Sequence, residues 1–244
     1  MPAGLDGNLD AIVTPTRTAV IDAVVDIIAT AQTPQRPLLV AIDGIDGSGK
    51  STFADELARA AGEKKICAVR STIDSFHNKR SIRHARGATS PLGFYADSHN
   101  LDALRQELLD PFKAGTGSPY RVGVFDEPTD AAVDAPVASV RPGDVLLFDG
   151  IFVQRPELAA YWDLVIFLDA QHRVELDRLA LILDGLPQGA VEAVSHSSVW
   201  ATRIDRYTSG MRYYLDLVDP IASAHVVIDN NAITSPQITK APRQ

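Results

Sequence analysis

Residues 44–52 read G-I-D-G-S-G-K-S-T, a spacing that can hold a chain of phosphates. The run from Gly44 to Ser51 satisfies G-x-x-x-x-G-K-[ST]. Gly44, Gly47 and Gly49 let successive backbone N–H groups curl inward around an anion with no Cβ in the way. Asp46, Ser48 and Thr52 complete the candidate cradle. A helix opening straight after it would add unpaired N–H groups and the positive end of its dipole. Lys50 would then reach the β- and γ-phosphates of a nucleotide, and the Ser51 hydroxyl would ligand Mg²⁺. A glycine-rich turn that matches by chance is the plainer alternative. The apolar run before the motif and the amphipathic pattern after it argue against that reading.

A phosphate cradle of this kind needs a carboxylate near the metal, at the end of a neighbouring strand. Asp149 closes Val-Leu-Leu-Phe-Asp-Gly and fits the pattern, although an aspartate before glycine also serves ordinary turns. Asp169 ends another apolar run and is the rival, with a helix cap as its alternative role. Transfer of a phosphoryl group to a hydroxyl asks for one more carboxylate, placed to orient the acceptor and take its proton. Asp74, in Ser71-Thr72-Ile73-Asp74-Ser75-Phe76-His77, stands at a strand end where such a group belongs; capping the next helix is the competing role. A GTP switch is disfavoured, because the one Asn-Lys pair, Asn78-Lys79-Arg80-Ser81, lacks the aspartate that reads guanine.

These residues need a scaffold, and the hydrophobic pattern supplies one. Val20, Val24 and Ile28 repeat at helical spacing over residues 16–32. Residues 37–42, 145–148, 164–168 and 226–228 are short unbroken apolar runs, and 66–73 is a further strand candidate. Phe53, Leu57 and Ala61, then Leu101, Leu104, Leu108 and Phe112, then Trp200, Ile204, Tyr207, Met211 and Leu215 mark helices between them. The alternation predicts an α/β fold: a doubly wound, mostly parallel five-stranded sheet with helices on both faces, which with the cradle is of P-loop NTPase type. The expected layout is an N-terminal helical extension at 1–36, a main domain at 37–232 and a frayed tail at 233–244.

Composition narrows the partners. The chain has 244 residues, 45% of them hydrophobic, and a formal net charge of −8. No basic run offers a face for nucleic acid. No apolar run approaches the roughly 20 residues of a membrane span. The N-terminus lacks the basic segment of a secretory signal, and the single cysteine, Cys67, cannot form an internal disulfide, so a cytoplasmic location is expected. Cys67 lies in Ile66-Cys67-Ala68-Val69 and reads as core packing.

The cradle, Ile73-Asp74-Ser75-Phe76-His77, Phe148-Asp149-Gly150-Ile151-Phe152 and Arg155-Pro156-Glu157-Leu158 together resemble the uridine kinase and phosphoribulokinase family of P-loop kinases. The likeness continues through Arg206-Tyr207, Tyr213-Tyr214-Leu215, Asp219-Pro220 and residues 224–230. It implies Mg²⁺·ATP-dependent phosphorylation of a small-molecule hydroxyl, in uridine kinases the 5′-OH of a pyrimidine nucleoside. Asp74 then resembles the base for the acceptor hydroxyl and Asp149 the acid near the metal. Tyr95, Asp97 and His99 fall in the family's acceptor-recognition region, as does Phe125, and Arg206 sits where the family contacts the acceptor. Arg212, further along the same helix, is a second candidate, with a solvated helix face as its alternative. Another alcohol, such as pantothenate or a sugar, is the alternative acceptor class. The resemblance also implies a P-loop kinase domain over 37–232 with a small helical lid at about 178–200. One departure stands out: the family's lid is arginine-rich, and here it reads Arg178-Leu179-Ala180-Leu181-Ile182-Leu183-Asp184. An aliphatic lid points to a transfer role for Arg178, Arg203 or Arg206, to a second copy packed on this helix, or to a non-catalytic nucleotide-binding regulator.

Overall fold

The computed structural model describes residues 13–170 and 198–242, with side chains described from Asp205 onward in the second stretch. Six strands form the central sheet: β1 (Leu38–Gly44), β2 (Ala68–Thr72), β3 (Val145–Asp149), β4 (Leu164–Asp169), β5 (Val226–Asp229) and β6 (Gln237–Lys240). Their spatial order is β6-β5-β4-β1-β3-β2. All neighbours run parallel except β5 and β6. The expected parallel α/β sheet is therefore present, with one strand more than the five anticipated. The extra strand lies in the stretch expected to fray. Ile238 packs on the core and the backbone pairs with β5, so pairing holds a segment whose composition alone would leave it loose.

Every residue of β1 is buried, and its side chains alternate between the two faces. Leu38, Val40 and Ile42 join α1 (Pro15–Ala31) and α2 (Lys50–Glu63) in one core layer, with Val24, Ile28, Phe53 and Leu57. Leu39 and Ala41 face the opposite layer, where Phe76, Leu108, Phe112 and Phe148 meet them. Helix α1 starts at Thr14, whose side chain accepts from Arg17 N, and at Pro15, pre-set for a first turn. The segment expected to be an extension thus packs into the same core as the nucleotide-type sheet.

Helix α3 (Pro91–Asp97), the helical stretch α4 at 101–114, and α5 (Ser198–Val218) complete the structure around the cleft. Helices α3 and α5 cross closely at Gly210, where a Cβ would stand 2.8 Å from the Phe94 ring and 2.9 Å from the Pro91 carbonyl. The expected lid at 178–200, with Arg178, lies outside the described residues apart from the backbone of Ser198–Trp200, which opens α5. Cys67 is exposed: Ile66 turns inward just ahead of β2 and its neighbour turns out, so the apolar context misled.

Arg17 is the least expected part of this core. It is 2% exposed and donates through Nε to both Glu56 carboxylate oxygens, at 2.8 and 3.1 Å. Its Nη1 donates to Asn230 Oδ1 and to the Ile233 carbonyl, which ties α1 to α2 and to the β5–β6 connection. Removing one partner of a buried pair strands the other charge. Arg17→Ala is expected to cost about 3–5 kcal/mol in urea unfolding, and the double variant Arg17→Met/Glu56→Leu to recover a large share of it. An unchanged Arg17→Ala midpoint would contradict the pairing.

Candidate active site

The carboxyl ends of β1, β2 and β3 lie along one edge, and the connections after them, with the one after β5, line a cleft of about 810 Å³. That volume suits a small-molecule site. Gly47, Gly49, Lys50, Ser51 and Thr52 line it, as do Asp46, Asp74, Asp149 and Arg206. Gly44 and Ser48 are buried behind the loop. The loop folds as its glycines permit. Gly49 takes φ +87°, a left-handed conformation that a side chain would strain, and passes directly into α2.

Lys50 is buried, and its Nζ donates to the Ile45 carbonyl at 2.7 Å. Burial holds its pKa below the ordinary lysine value, while Asp46, Asp43, Asp74 and Asp149 act to keep the charge. The Ser51 hydroxyl donates to Asp149 Oδ2 at 2.7 Å. Asp149 is 1% exposed, and its Oδ1 lies 2.9 Å from Arg70 on β2. The register explains the meeting: Ile42 on β1 and Thr72 on β2 both stand opposite Asp149. A hydroxyl and a carboxylate oxygen side by side at the mouth of a phosphate loop form the hard-oxygen donor pair that suits Mg²⁺. The rival, Asp169, pairs in register with Asp229 and opens on a different hollow beside Arg212.

Asp74 sits in a single tight turn, Ile73–Phe76, directly after β2. Thr72 caps that turn by accepting from Asp74 N, so the Asp74 carboxylate is not committed to capping and opens onto the cleft. Protein crowding around the carboxyl desolvates it and pushes its pKa above the ordinary value. His77 and Lys50 pull it down, and Asp149 and Asp46 push it further up.

The remaining sequence candidates divide. Arg206 lines the cleft and donates to the Ala88 and Arg83 carbonyls. Tyr95, Asp97, His99, Phe125 and Arg212 do not line it. Tyr95 is buried among Phe152, Tyr213 and Tyr214, with the Arg155 guanidinium 4.5 Å from its ring centre. Asp97 pairs with Arg86 at 2.8 Å, and Phe125 is buried in a two-residue ribbon with Ala132. Arg212 is six residues past Arg206, about 240° further round the helix, which turns it to another face. His99 is 3% exposed, not a surface residue, and its ring lies 4.6 Å from that of His77. Burial, with His77, Arg155 and Arg83 nearby, holds its imidazole well below the ordinary pKa.

Several residues at or behind the cleft escaped the sequence reading. Arg17 lines it beside Asn230, which belongs to the 224–230 stretch the sequence did single out and whose Nδ2 donates to the Ser48 carbonyl at 2.7 Å. The signal for Arg17 was a charge on the apolar stripe that continues to Val20, Ile21 and Val24. Arg83 lines the opposite end, paired with Glu127 and Asp130. Beneath the loop, Asp43 is fully buried and accepts from Gly44 N, Gln154 Nε2 and the Tyr214 hydroxyl, the last at 2.5 Å. Burial pushes the Asp43 pKa up and these donors hold it down; Tyr214, itself buried beside a carboxylate, is pushed far above an ordinary tyrosine.

The sequence profile of the Phosphoribulokinase / Uridine kinase family matches residues 39–228. The chain belongs to that family. Within it, the chain is 28% identical over 116 residues to a uridine kinase of Ureaplasma urealyticum, covering 48% of this chain and 54% of that one. It is 25% identical over 153 residues to the chloroplastic uridine/cytidine kinase UKL1 of Arabidopsis thaliana, covering 60% of this chain and 29% of the relative. The chain therefore spans no more than about half the length of these curated relatives. The fold of this family member is similar to a solved structure described as a possible uridine kinase from Bacillus stearothermophilus. That similarity has a TM-score of 0.65 at 24% identity and covers 85% of this chain and 96% of that one. No helix among the described residues is long and apolar enough to cross a membrane.

The Asp43 network should matter to folding. Tyr214→Phe removes a donor from a buried carboxylate and is expected to lower stability by about 1–3 kcal/mol in urea unfolding. An unchanged midpoint would argue that the hydroxyl is dispensable.

Proposed function

We propose that this chain transfers the γ-phosphoryl group of ATP to a hydroxyl of a small molecule, first of all the 5′-OH of uridine or cytidine. The observation that supports it most is the Ser51–Asp149 pair at the mouth of the phosphate loop, with Asp74 opening on the same cleft. The loop amides and Lys50 would hold the β- and γ-phosphates. Ser51 and Asp149 would hold Mg²⁺, which when bound offsets charge on the transferring group. Asp74 accepts the hydroxyl proton as the acceptor oxygen bonds to the γ-phosphorus, and the bond to the ADP oxygen breaks. Catalysis comes from positioning and charge, with no covalent enzyme intermediate.

The acceptor end of the cleft is polar and charged. Arg83, held by Glu127 and Asp130, and Arg206, held on the Ala88 carbonyl, line that end together with the edge of Phe94. Such groups suit a polyhydroxylated acceptor with a flat base better than an aliphatic alcohol. The reading is tested by ADP release in the presence of ATP, Mg²⁺ and a panel of alcohols. Uridine or cytidine should stimulate release, and a panel in which only other alcohols do so would overturn the nucleoside assignment.

The base assignment carries its own test. Asp74 works ionised, and its pKa is raised, so the rate should be full at neutral pH. It should fall on acidification through an apparent pKa above the ordinary aspartate value of 3.8. Asp74→Asn should lower kcat by about 10²–10⁴-fold while ATP binding persists. Full turnover by that variant would remove Asp74 from its role.

A further inference from the structure

We propose that His77, His99 and Asp74 form a binding site for a transition-metal cation of the Zn²⁺ class, separate from the oxygen-donor position at Ser51 and Asp149. One ligand atom from each residue lies within 4.8 Å of the others. Two ligands on one tetrahedral zinc, each at about 2.0–2.1 Å, stand roughly 3.4 Å apart, so side-chain adjustments of about 1 Å close the site.

The backbone builds this arrangement. Residues 76–78 run antiparallel to 98–100, with Asn78 N donating to the Ser98 carbonyl at 2.9 Å and Asn100 N to the Phe76 carbonyl at 2.7 Å. Those two bonds flank His77 and His99, which makes them a non-hydrogen-bonded pair. In such pairs the facing side chains come closest and lie on one face. The two rings accordingly sit 4.6 Å apart. His77 Nδ1 lies 2.9 Å from the Asp74 carbonyl. Donation there leaves the lone pair on the other ring nitrogen and fixes the ring, the arrangement in which metal-ligating histidines are held. His99 supplies the independent pointer. It is 3% exposed, and neither ring nitrogen has a hydrogen-bond partner among the described residues. A polar ring buried without a partner is rare, and a metal bond would satisfy one of its two nitrogens.

Two imidazoles and one carboxylate select against Mg²⁺, which takes oxygen ligands in octahedral geometry. They suit zinc and its neighbours, with a fourth position left open. Because Asp74 belongs to the site, a bound ion would occupy the group that meets the acceptor hydroxyl. Zinc would then inhibit transfer competitively with acceptor and not with ATP, a consequence that rests on the function proposed above.

The site itself is tested without nucleotide or turnover. Tag-free chain is titrated with Co²⁺ and followed by ligand-field absorption, and with Zn²⁺ by calorimetry. One equivalent should bind, and His77→Asn and His99→Asn should each weaken binding by about tenfold or more. Asp149→Asn should leave the Co²⁺ spectrum in place. His77 is the more exposed of the two histidines, so its variant keeps the test valid if His99→Asn fails to fold. No Co²⁺ band, equal affinity in the His77 variant, or a band lost in Asp149→Asn and kept in the histidine variants would overturn the site. Inhibition by zinc is read separately in the ADP-release assay, so failure of the kinase reading leaves the binding result standing.

Discussion

The alignment of β1 with β3 is the constraint on which the cleft depends. Ile42 stands opposite Asp149, which brings the β3 carboxylate level with the start of the phosphate loop and within 2.7 Å of Ser51. A strand shifted by one residue would turn every side chain to the other face. Asp149 would then point into a core layer, where an unpaired carboxylate is costly, and Leu147 and Phe148 would exchange layers. The two apolar layers that β3 feeds, Val145 and Leu147 on one face and Leu146 and Phe148 on the other, therefore fix the geometry of its one acid. Burial of five consecutive residues, Val145–Asp149, is what makes the register hard to slip.

Around that alignment, buried polar groups fix what hydrophobic packing leaves loose. Asp43 accepts from Gly44, Gln154 and Tyr214, joining the loop to α5 and to the connection after β3. Arg17 joins α1, α2 and the β5–β6 connection, and Asn230 carries the link on to the Ser48 carbonyl. Each network is satisfied by several partners, and each would be destabilising if cut at one member. Together they brace the loop from beneath and from the side, so that its amides are positioned before any ligand arrives.

How much of this could be read from the chain follows from the range of each interaction. The phosphate loop is local, set by glycines and one lysine within nine residues, and it was legible. Asp149 and Asp74 were legible as strand-end acids because open parallel sheets place such residues in one crevice. The β6 strand was not, since its stability comes from pairing with β5 and not from its own residues. Arg17 required knowing that α1 packs against α2, and Arg212 shares a helix with Arg206 without sharing its face. The burial of His99 was not legible, because the 76–78 and 98–100 pairing that encloses it joins segments some twenty residues apart.

A crystal structure of the full chain with Mg²⁺ and a non-hydrolysable ATP analogue would test the central claim most directly. The account predicts the terminal phosphate in the loop and the ion on Ser51 Oγ at about 2.1 Å, with Asp149 bound to it directly or through one water. It further predicts the Asp74 carboxylate facing the γ-phosphorus with room for one hydroxyl between them. An analogue bound elsewhere, or Asp74 turned from the phosphorus with no space for an acceptor, would contradict it.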